Sequence, residues 1–498
     1  MAYYLGVDLG TSAVKVVLAD DSGNIASTAR EGYPCIHPRS GWSEQDPELW
    51  YRATVSAVRE AVESAGIPAA RIEGMSFGGQ MHGLVALDRD GAVIRPAILW
   101  NDGRSAEECA YLNDVLGREE LTRRCGNIAF PGFTAPKILW MRAHEPELFS
   151  RMDKVLLPKD YLVFRMTGRF CTDVSDASGT LYFDVRSRTW SAPMLDLLGI
   201  SPNQLPQVLE SAEIAGTLLP EAARVMGLGE HVRVIAGAGD NAAAAVGMGV
   251  VHEGQCNVSL GTSGTVFLPT RRMLVDEGNS LHSFADAAGA YHLMGCMLSA
   301  ASANDWWATR VLESDVTTEM DRVGSAPLGC NEVLFLPYLM GERSPVNDVD
   351  ARAAFIGMNA DTGRAEMGLA VLEGVTFALR QCLDAAVKMG VSVETLTVCG
   401  GGAKSHLWRR VIADVFEMPV SVLPQEEGPG FGACLLAMVG CGAYPTVGEA
   451  VDAVVGAPRV AAYPNEEEAR RYRDRYRVYC ELYPRLKDVF ADLREMVR

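Results

Sequence analysis

The sequence predicts an α/β protein made of two duplicated domains, and three observations predict it. The tetrapeptide LGTS stands at residues 9–12 and again at 260–263, each time as the turn between two β-rich runs. YYLGV leads into the first copy and VKVVLAD leaves it; CNVSL leads into the second and GTVFLP leaves it. Glycine-rich turns also join strand to helix, after VRVIAGAG at 232–239 and within ETLTVCGGGAKS, which ends at Ser405. Finally, 498 residues exceed what one ordinary core holds. A repeat this widely spaced marks duplicated halves, since solenoid units recur every few tens of residues. The boundary is expected near Gly247–Glu253, giving domains 1–247 and 248–498.

The elements follow in order. The first thirty residues read strand, turn, strand, turn at DDSGN, strand: an antiparallel start. A helix is expected over 47–64, with Asp46 as N-cap, Pro47 in the first turn and Leu49, Ala53, Ala57 and Ala61 on one face. RIEGMSFGGQMHGLVALDRDG then reads as a strand, a glycine-rich corner, a second strand and a turn. Helical stretches cover 103–125 and 136–150, and another starts near Pro158. The strand 232–239 enters an Ala-rich helix from Asn241, before the second LGTS hairpin. Helices follow at about 297–312 and 364–389, then the strand and turn that open HLWRRVIADVF. The last helix begins at the acidic EEEA, suits the helix dipole, carries Tyr472, Tyr476 and Tyr483 as its apolar stripe, and should kink or end at Pro484.

Composition narrows the function classes. With 48% hydrophobic and 22% charged residues the chain is ordinary and globular. A net charge of −18 argues against nucleic acid and anionic membranes as partners. Twelve cysteines without a CxxC pair read as free thiols of a reducing compartment, not disulfides or a zinc site. No secretory leader is visible and the longest apolar stretch, AAAAVGMGVV, is too short to span a bilayer, so a cytoplasmic location is expected.

Two familiar nucleotide motifs fail on inspection. GAGDNA at 237–242 fits a dinucleotide fingerprint, but Asp240 would face the pyrophosphate and no acidic residue ends the next strand. VCGGGAKS has Val398 and Ala403 where a P-loop requires glycine. The LGTS turns instead join strand to strand. Gly10, Thr11 and Ser12 offer N–H groups and hydroxyls at one point, suited to phosphate oxygens, and Gly261, Thr262 and Ser263 repeat the arrangement. Lys15 stands three residues past Ser12, within reach of the same phosphates or simply exposed. A polyphosphate between two such loops needs a divalent cation, and magnesium takes only one or two protein carboxylates. Asp8 leads the first LGTS and supplies one; Ser259 leads the second and only donates.

These residues carry a resemblance. Duplicated halves that open with Gly-Thr-Ser hairpins resemble the actin/Hsp70/sugar-kinase ATPase superfamily of ribonuclease-H-like domains. Within it the chain is similar to the FGGY carbohydrate kinases over essentially its whole length. GFTAPKILWMRAH at 132–144 follows one family signature, departing only at Ala143, and AAFIGMNADTGRAEMGLAVLE at 353–373 fits the other. The shorter motifs GWSEQDPELW, GQMHG, ILWNDGR, VLLPKDYL, GAGDNAAAAVG, LSAAS and PYLMGERSP resemble the family's bacterial xylulokinase branch. There Met81-His82 stands where glycerol kinases place an Arg-Glu pair.

The resemblance implies an interdomain cleft and ATP-dependent phosphorylation of D-xylulose at O5, with ribulose, ribitol or another ketopentose or polyol as the alternative substrate. It implies ATP and Mg2+ as cofactors and Asp240 as the base that takes the proton of the attacking hydroxyl. The competing reading of Asp240 is an N-cap for the helix after it. Asn241, Met81 and His82 would hold the sugar, with Trp100 and Asp102 as further contacts. Asp8 would hold magnesium. Gly401, Gly402 and Ala403, with His406, would form the adenosine wall. Glu342 and Arg343 read as a structural ion pair. Implied partners are the sugar and ATP, with homodimer formation left open. A chaperone or filament ATPase would share the hairpins, but nothing after residue 445 reads as an appendage for such a role.

Overall fold

Backbone pairing in the computed structural model, which describes residues 1–330, 332–424 and 428–496, starts with the expected hairpin. β1 (Tyr3–Leu9) turns into β2 (Ala13–Asp20), which pairs with β3 (Ile25–Gly32), all antiparallel. α1 (Pro47–Ala65) begins where Asp46 accepts the Glu48 N–H at 3.0 Å, and it buries Trp50, Ala53, Ala57 and Ala61 against this sheet. β4 (Ile72–Gly79) runs parallel to β1. A helical lobe follows, containing α2 (Thr134–His144) and α3 (Pro158–Thr167). The chain then returns through β5 (Ile214–Thr217), β6 (Arg233–Ile235) and β7 (Ala238–Gly239) into α4 (Asp240–Gly247). The sheet order is β5-β6-β4-β1-β2-β3, with β7 on the end of β4.

The second half repeats this plan. β8 (Gln255–Leu260) turns into β9 (Gly264–Thr270), and β10 (His282–Ala285) and β11 (Tyr291–Met297) extend the antiparallel side. α5 (Arg364–Lys388) leads to β12 (Thr395–Cys399), parallel to β8, and α6 (His406–Phe416) leads to β13 (Val420–Val422), parallel to β12. The order is β10-β11-β9-β8-β12-β13, with β14 (Arg459–Ala462) at the edge. Register makes the duplication concrete. Asp8 lies opposite Lys15 on one side and Gly78 on the other; Ser259 lies opposite Thr265 and Cys399.

The halves are joined by two helices. α7 (Gly428–Gly440) and α8 (Val447–Val454) come from the second half, yet Phe431, Cys434, Leu435, Val447 and Val451 pack with Tyr4, Val17 and Ala19 of the first sheet. The expected unit 248–498 therefore includes a segment whose core lies on the other sheet. α7 also crosses α4 with no space to spare: a Cβ on Gly432 would sit 1.8 Å from the Ala243 carbonyl. Only glycine permits that approach.

Four elements differ from expectation. The stretch 136–150 is two helices, Thr134–His144 and Pro146–Arg151, parted at Glu145. The stretch 103–125 is two α segments, Ala106–Tyr111 and Arg118–Cys125, separated by a π turn at Leu112–Gly117. The helix expected from 297 starts at Ala301, because Met297 ends β11 and the N–H groups of Leu298 and Ala300 bond to Glu342 and the Thr262 carbonyl instead. The tyrosine stripe is divided between α9 (Glu466–Tyr479) and α10 (Leu482–Glu495). Tyr472 and Tyr476 pack around Phe377, whereas Tyr483 meets Tyr338. Pro484 sits in the first turn of α10, where its missing N–H costs nothing. Among the described residues no helix is long and apolar enough to cross a membrane, and every cysteine is a free thiol.

Candidate active site

Asp8 ends the buried strand β1 with its side chain partly exposed, and its carboxylate accepts no hydrogen bond from a described residue. Burial pushes its acid dissociation up to about 7; the charge of Asp240 adds to the rise and Lys15, its neighbour across the hairpin, opposes it. The Gly10–Ser12 turn is braced from behind. Gly10 N–H reaches the Ala13 carbonyl at 3.1 Å, and Tyr33 donates to the Gly10 carbonyl. Gln45 Nε2 donates to the Thr11 carbonyl at 2.6 Å, and the Trp100 indole donates to Thr11 Oγ1 at 2.9 Å.

Asp240 is the first residue of α4, and Gly239 occupies the cap position. The capping role weighed for Asp240 is thus not the one it fills. Its Oδ1 accepts the Asn241 N–H at 2.8 Å and Asn241 Nδ2 at 2.9 Å, while Oδ2 takes no hydrogen bond from a described residue. The turn that delivers it needs glycine: Gly237 has φ +83°, and a Cβ there would meet the Phe77 carbonyl at 2.4 Å. Asp240 is partly exposed, yet burial outweighs the bonds from Asn241 and pushes its carboxyl up to about 6.

His82 turns the corner after β4 with φ 69°, a strained value for a side chain of its size. Two groups of α2 hold its carbonyl, Lys137 Nζ at 2.8 Å and Thr134 Oγ1 at 3.1 Å, and Lys137 is itself braced by the Gly132 carbonyl at 2.7 Å. Its ring stacks on Phe133 at 4.6 Å, and Nδ1 donates to the Gly179 carbonyl at 2.8 Å. That bond leaves Nε2 as an acceptor. Burial, then the Arg343 and Lys137 charges, holds His82 well below its usual range, so the ring is neutral. Met81 is buried beside it and packs on Gly239.

The other expected contacts divide. Trp100 is committed to Thr11 through its indole N–H. Asp102 is fully buried and saturated: Oδ1 accepts Arg104 N at 2.9 Å and Nε at 2.8 Å, and Oδ2 accepts Arg104 Nη2 at 2.7 Å and Ser43 N at 2.5 Å. No lone pair remains for a sugar, and the expected contact lapses. Glu342 and Arg343 form no ion pair. Glu342 accepts the Leu298 and Arg343 N–H groups, while a Cβ on Gly132 would lie 2.7 Å from the Arg343 guanidinium.

In the second half Gly261, Thr262 and Ser263 form the equivalent turn. Its Gly261 and Thr262 carbonyls are tied by Ala301 N at 2.9 Å, Ala300 N at 3.0 Å and Ser302 Oγ at 2.7 Å, all from the LSAAS segment. The Gly400–Ala403 turn lies on the end of β8: a Cβ on Gly400 would be 2.8 Å from the Leu260 carbonyl. Gly401 is exposed with open space around it, Gly402 is half-buried, Ala403 is buried, and His406 is exposed at the start of α6. This is a flat glycine surface beside a donor loop, a shape that accommodates a nucleoside next to its phosphates.

Sequence reasoning missed the supporting residues. Gln45, Gln80, Thr134, Lys137 and Lys159 all lie within the quoted motifs, but the letters alone do not say that they brace a turn or a strained corner. Charge offered one signal: Lys137 and Lys159 sit in apolar stretches, and a buried lysine needs partners.

Comparison with known proteins agrees with this geometry. The FGGY family of carbohydrate kinases matches through its N-terminal domain over residues 3–247 and its C-terminal domain over residues 256–441. The xylulose kinase of Escherichia coli is 41% identical over 98% of this chain and 100% of its own length. Ligand-bound xylulose kinase from Lactobacillus acidophilus superposes with a TM-score of 0.94 at 27% identity, covering 99% of this chain and 100% of its own. Gluconate kinase from the same organism gives 0.95 at 27% identity, with 99% coverage of both chains, so backbone shape alone does not choose among sugars. The chain belongs to the FGGY family of carbohydrate kinases.

Proposed function

We propose that this kinase transfers the γ-phosphoryl group of ATP to O5 of D-xylulose, with Asp240 as general base. The observation that carries the reading is Asp240 itself: Asn241 holds one oxygen, no described residue donates to the other, and burial pushes the carboxyl up to about 6. Phosphoryl transfer asks chiefly for positioning and charge neutralisation, and a base near neutrality suits removal of a hydroxyl proton. Asp240 Oδ2 takes that proton while Asn241, Met81 and His82 Nε2 hold the sugar. Thr11 and Ser12, with Lys15, line the phosphates on one side; Gly261, Thr262 and Ser263 line them on the other. Gly401, Gly402 and Ala403, with His406 at the rim, seat the adenosine.

Asp8 fits a cation. Among the described residues no donor bonds its carboxylate, and no three His, Cys, Asp or Glu side chains converge on one point. Mg2+ held there beside the phosphates would neutralise charge on the transferring group. The choice of D-xylulose is supported by the 41% identity to the Escherichia coli xylulose kinase, together with Met81-His82 at the sugar corner. Ribulose, ribitol and other polyols are the alternatives.

ADP release measured by a coupled assay over a sugar panel tests the reading. D-xylulose should give the highest kcat/KM. A ranking led by ribulose or ribitol would move the substrate, and no sugar-dependent release at all would remove the kinase reading.

A further inference from the structure

A buried ionic cluster lies behind Asp240. Lys159 Nζ of α3 meets Asp160 at 2.7 Å, Asp173 at 2.9 Å and Asp176 at 3.6 Å, and none of the four side chains is exposed. Removing one ammonium and three carboxylates from water is a poor way to gain stability, because desolvation offsets the attraction. The hydrogen bonds indicate another use. Asp173 Oδ2 accepts Ser175 N at 2.8 Å, Ser175 Oγ at 2.5 Å and Ser211 Oγ at 2.7 Å. Ser175 Oγ then accepts the Gly239 N–H at 3.1 Å. The path Lys159, Asp173, Ser175, Gly239 ends one peptide before Asp240. β4 closes the frame: Gly79 pairs with Gly239, and a Cβ on Gly79 would lie 2.6 Å from Lys159 Cβ.

We propose that Ser175, backed by Asp173 and Lys159, is a positioning residue that fixes the Gly239 peptide and so aims the Asp240 carboxylate. The proposal rests on the reading of Asp240 as the base. Gly239 has no side chain with which to anchor itself, so its N–H is the handle available to neighbouring side chains. Ser175 can take that handle because Asp173 Oδ2 accepts its hydroxyl proton, and Lys159 Nζ holds Asp173 Oδ1 at 2.9 Å. Asp240 is faced by Asp8 from β1 and by Asp176 from the short helix Val174–Ala177, with Lys159 and Asp160 of α3 and Asp173 behind them. Neither oxygen of Asp176 takes a hydrogen bond from a described residue, and burial holds its carboxyl well above the usual range.

The test compares Ser175→Ala with Ser211→Ala. Each removes one hydroxyl from Asp173 Oδ2, but only Ser175 reaches Gly239. Both should lower Tm to a similar degree. Ser175→Ala should lose on the order of tenfold in kcat with KM for D-xylulose little changed, the pattern of a misaimed group. Its acid limb should move to lower pH, because a loosened carboxylate gains water. Ser211→Ala should keep wild-type kcat and acid limb. Equal kcat and equal acid limbs in the two variants would overturn the proposal and leave the cluster a structural brace. An Asp240→Asn variant with wild-type turnover would instead overturn the base assignment, so the two failures are distinct.

Discussion

As the proposed base, Asp240 answers to two constraints at once, since it must be ionised to accept a proton yet sit where ionisation is disfavoured. Burial raises its carboxyl from 3.8 to about 6, and the two bonds from Asn241 keep it from rising further. The base is competent only when unprotonated, so kcat/KM for D-xylulose at saturating ATP should climb as pH rises through about 6. A profile flat across that value would separate the measured group from Asp240. The Asp240→Asn variant isolates the chemistry from the fold. An amide keeps the shape and the contacts with Asn241 while losing the basic site, so Tm should hold and turnover should fall by roughly two to four orders of magnitude. Near wild-type turnover would take Asp240 out of the mechanism.

At the scale of elements, the two hairpins differ in one decisive letter. β1 and β8 hold equivalent places in their sheets, and Asp8 and Ser259 hold equivalent places in the strands. If the cation is held on one side only, Asp8→Ala should severely reduce Mg2+-dependent activity, whereas Ser259→Ala should do much less. Titrating activity with Mg2+ in both variants checks this, and similar losses would make the asymmetry meaningless. The hairpins were legible because alternating β-rich runs around a Gly-Thr-Ser turn are a local signal. Asp8, Asp240 and the Met81-His82 corner stood out as candidates because they lie where strands meet glycine-rich turns. α7 was not legible. Its run GPGFGACLLAMVG is apolar on all sides and rich in glycine, the opposite of an amphipathic pattern, because it is buried between the first sheet and α4. The braces were hidden for a related reason: Lys137 and Lys159 act on residues distant in sequence, His82 and Gly239. Asp102 misled because an acidic residue beside a tryptophan reads as a sugar contact, while Arg104, two positions on, had already saturated it.

At the scale of the molecule, the duplicated sheets are tied by the crossing of α4 and α7, and the two candidate carboxylates, Asp8 and Asp240, sit at that crossing. Asp240 opens α4, and a Cβ on Gly430 of α7 would lie 3.7 Å from Asp8 Cβ. On the proposed reading, the base and the cation site lie on one half and the nucleoside surface at residues 401–403 on the other, so transfer would need both halves. The central claim is that the phosphoryl group passes from ATP to the terminal hydroxyl of a ketopentose. Phosphorus NMR of the wild-type enzyme with ATP, Mg2+ and D-xylulose reads it most directly. The account predicts ADP and an equal amount of a phosphate monoester coupled to the C5 methylene protons. Inorganic phosphate in place of the ester, or an ester on another carbon, would contradict it.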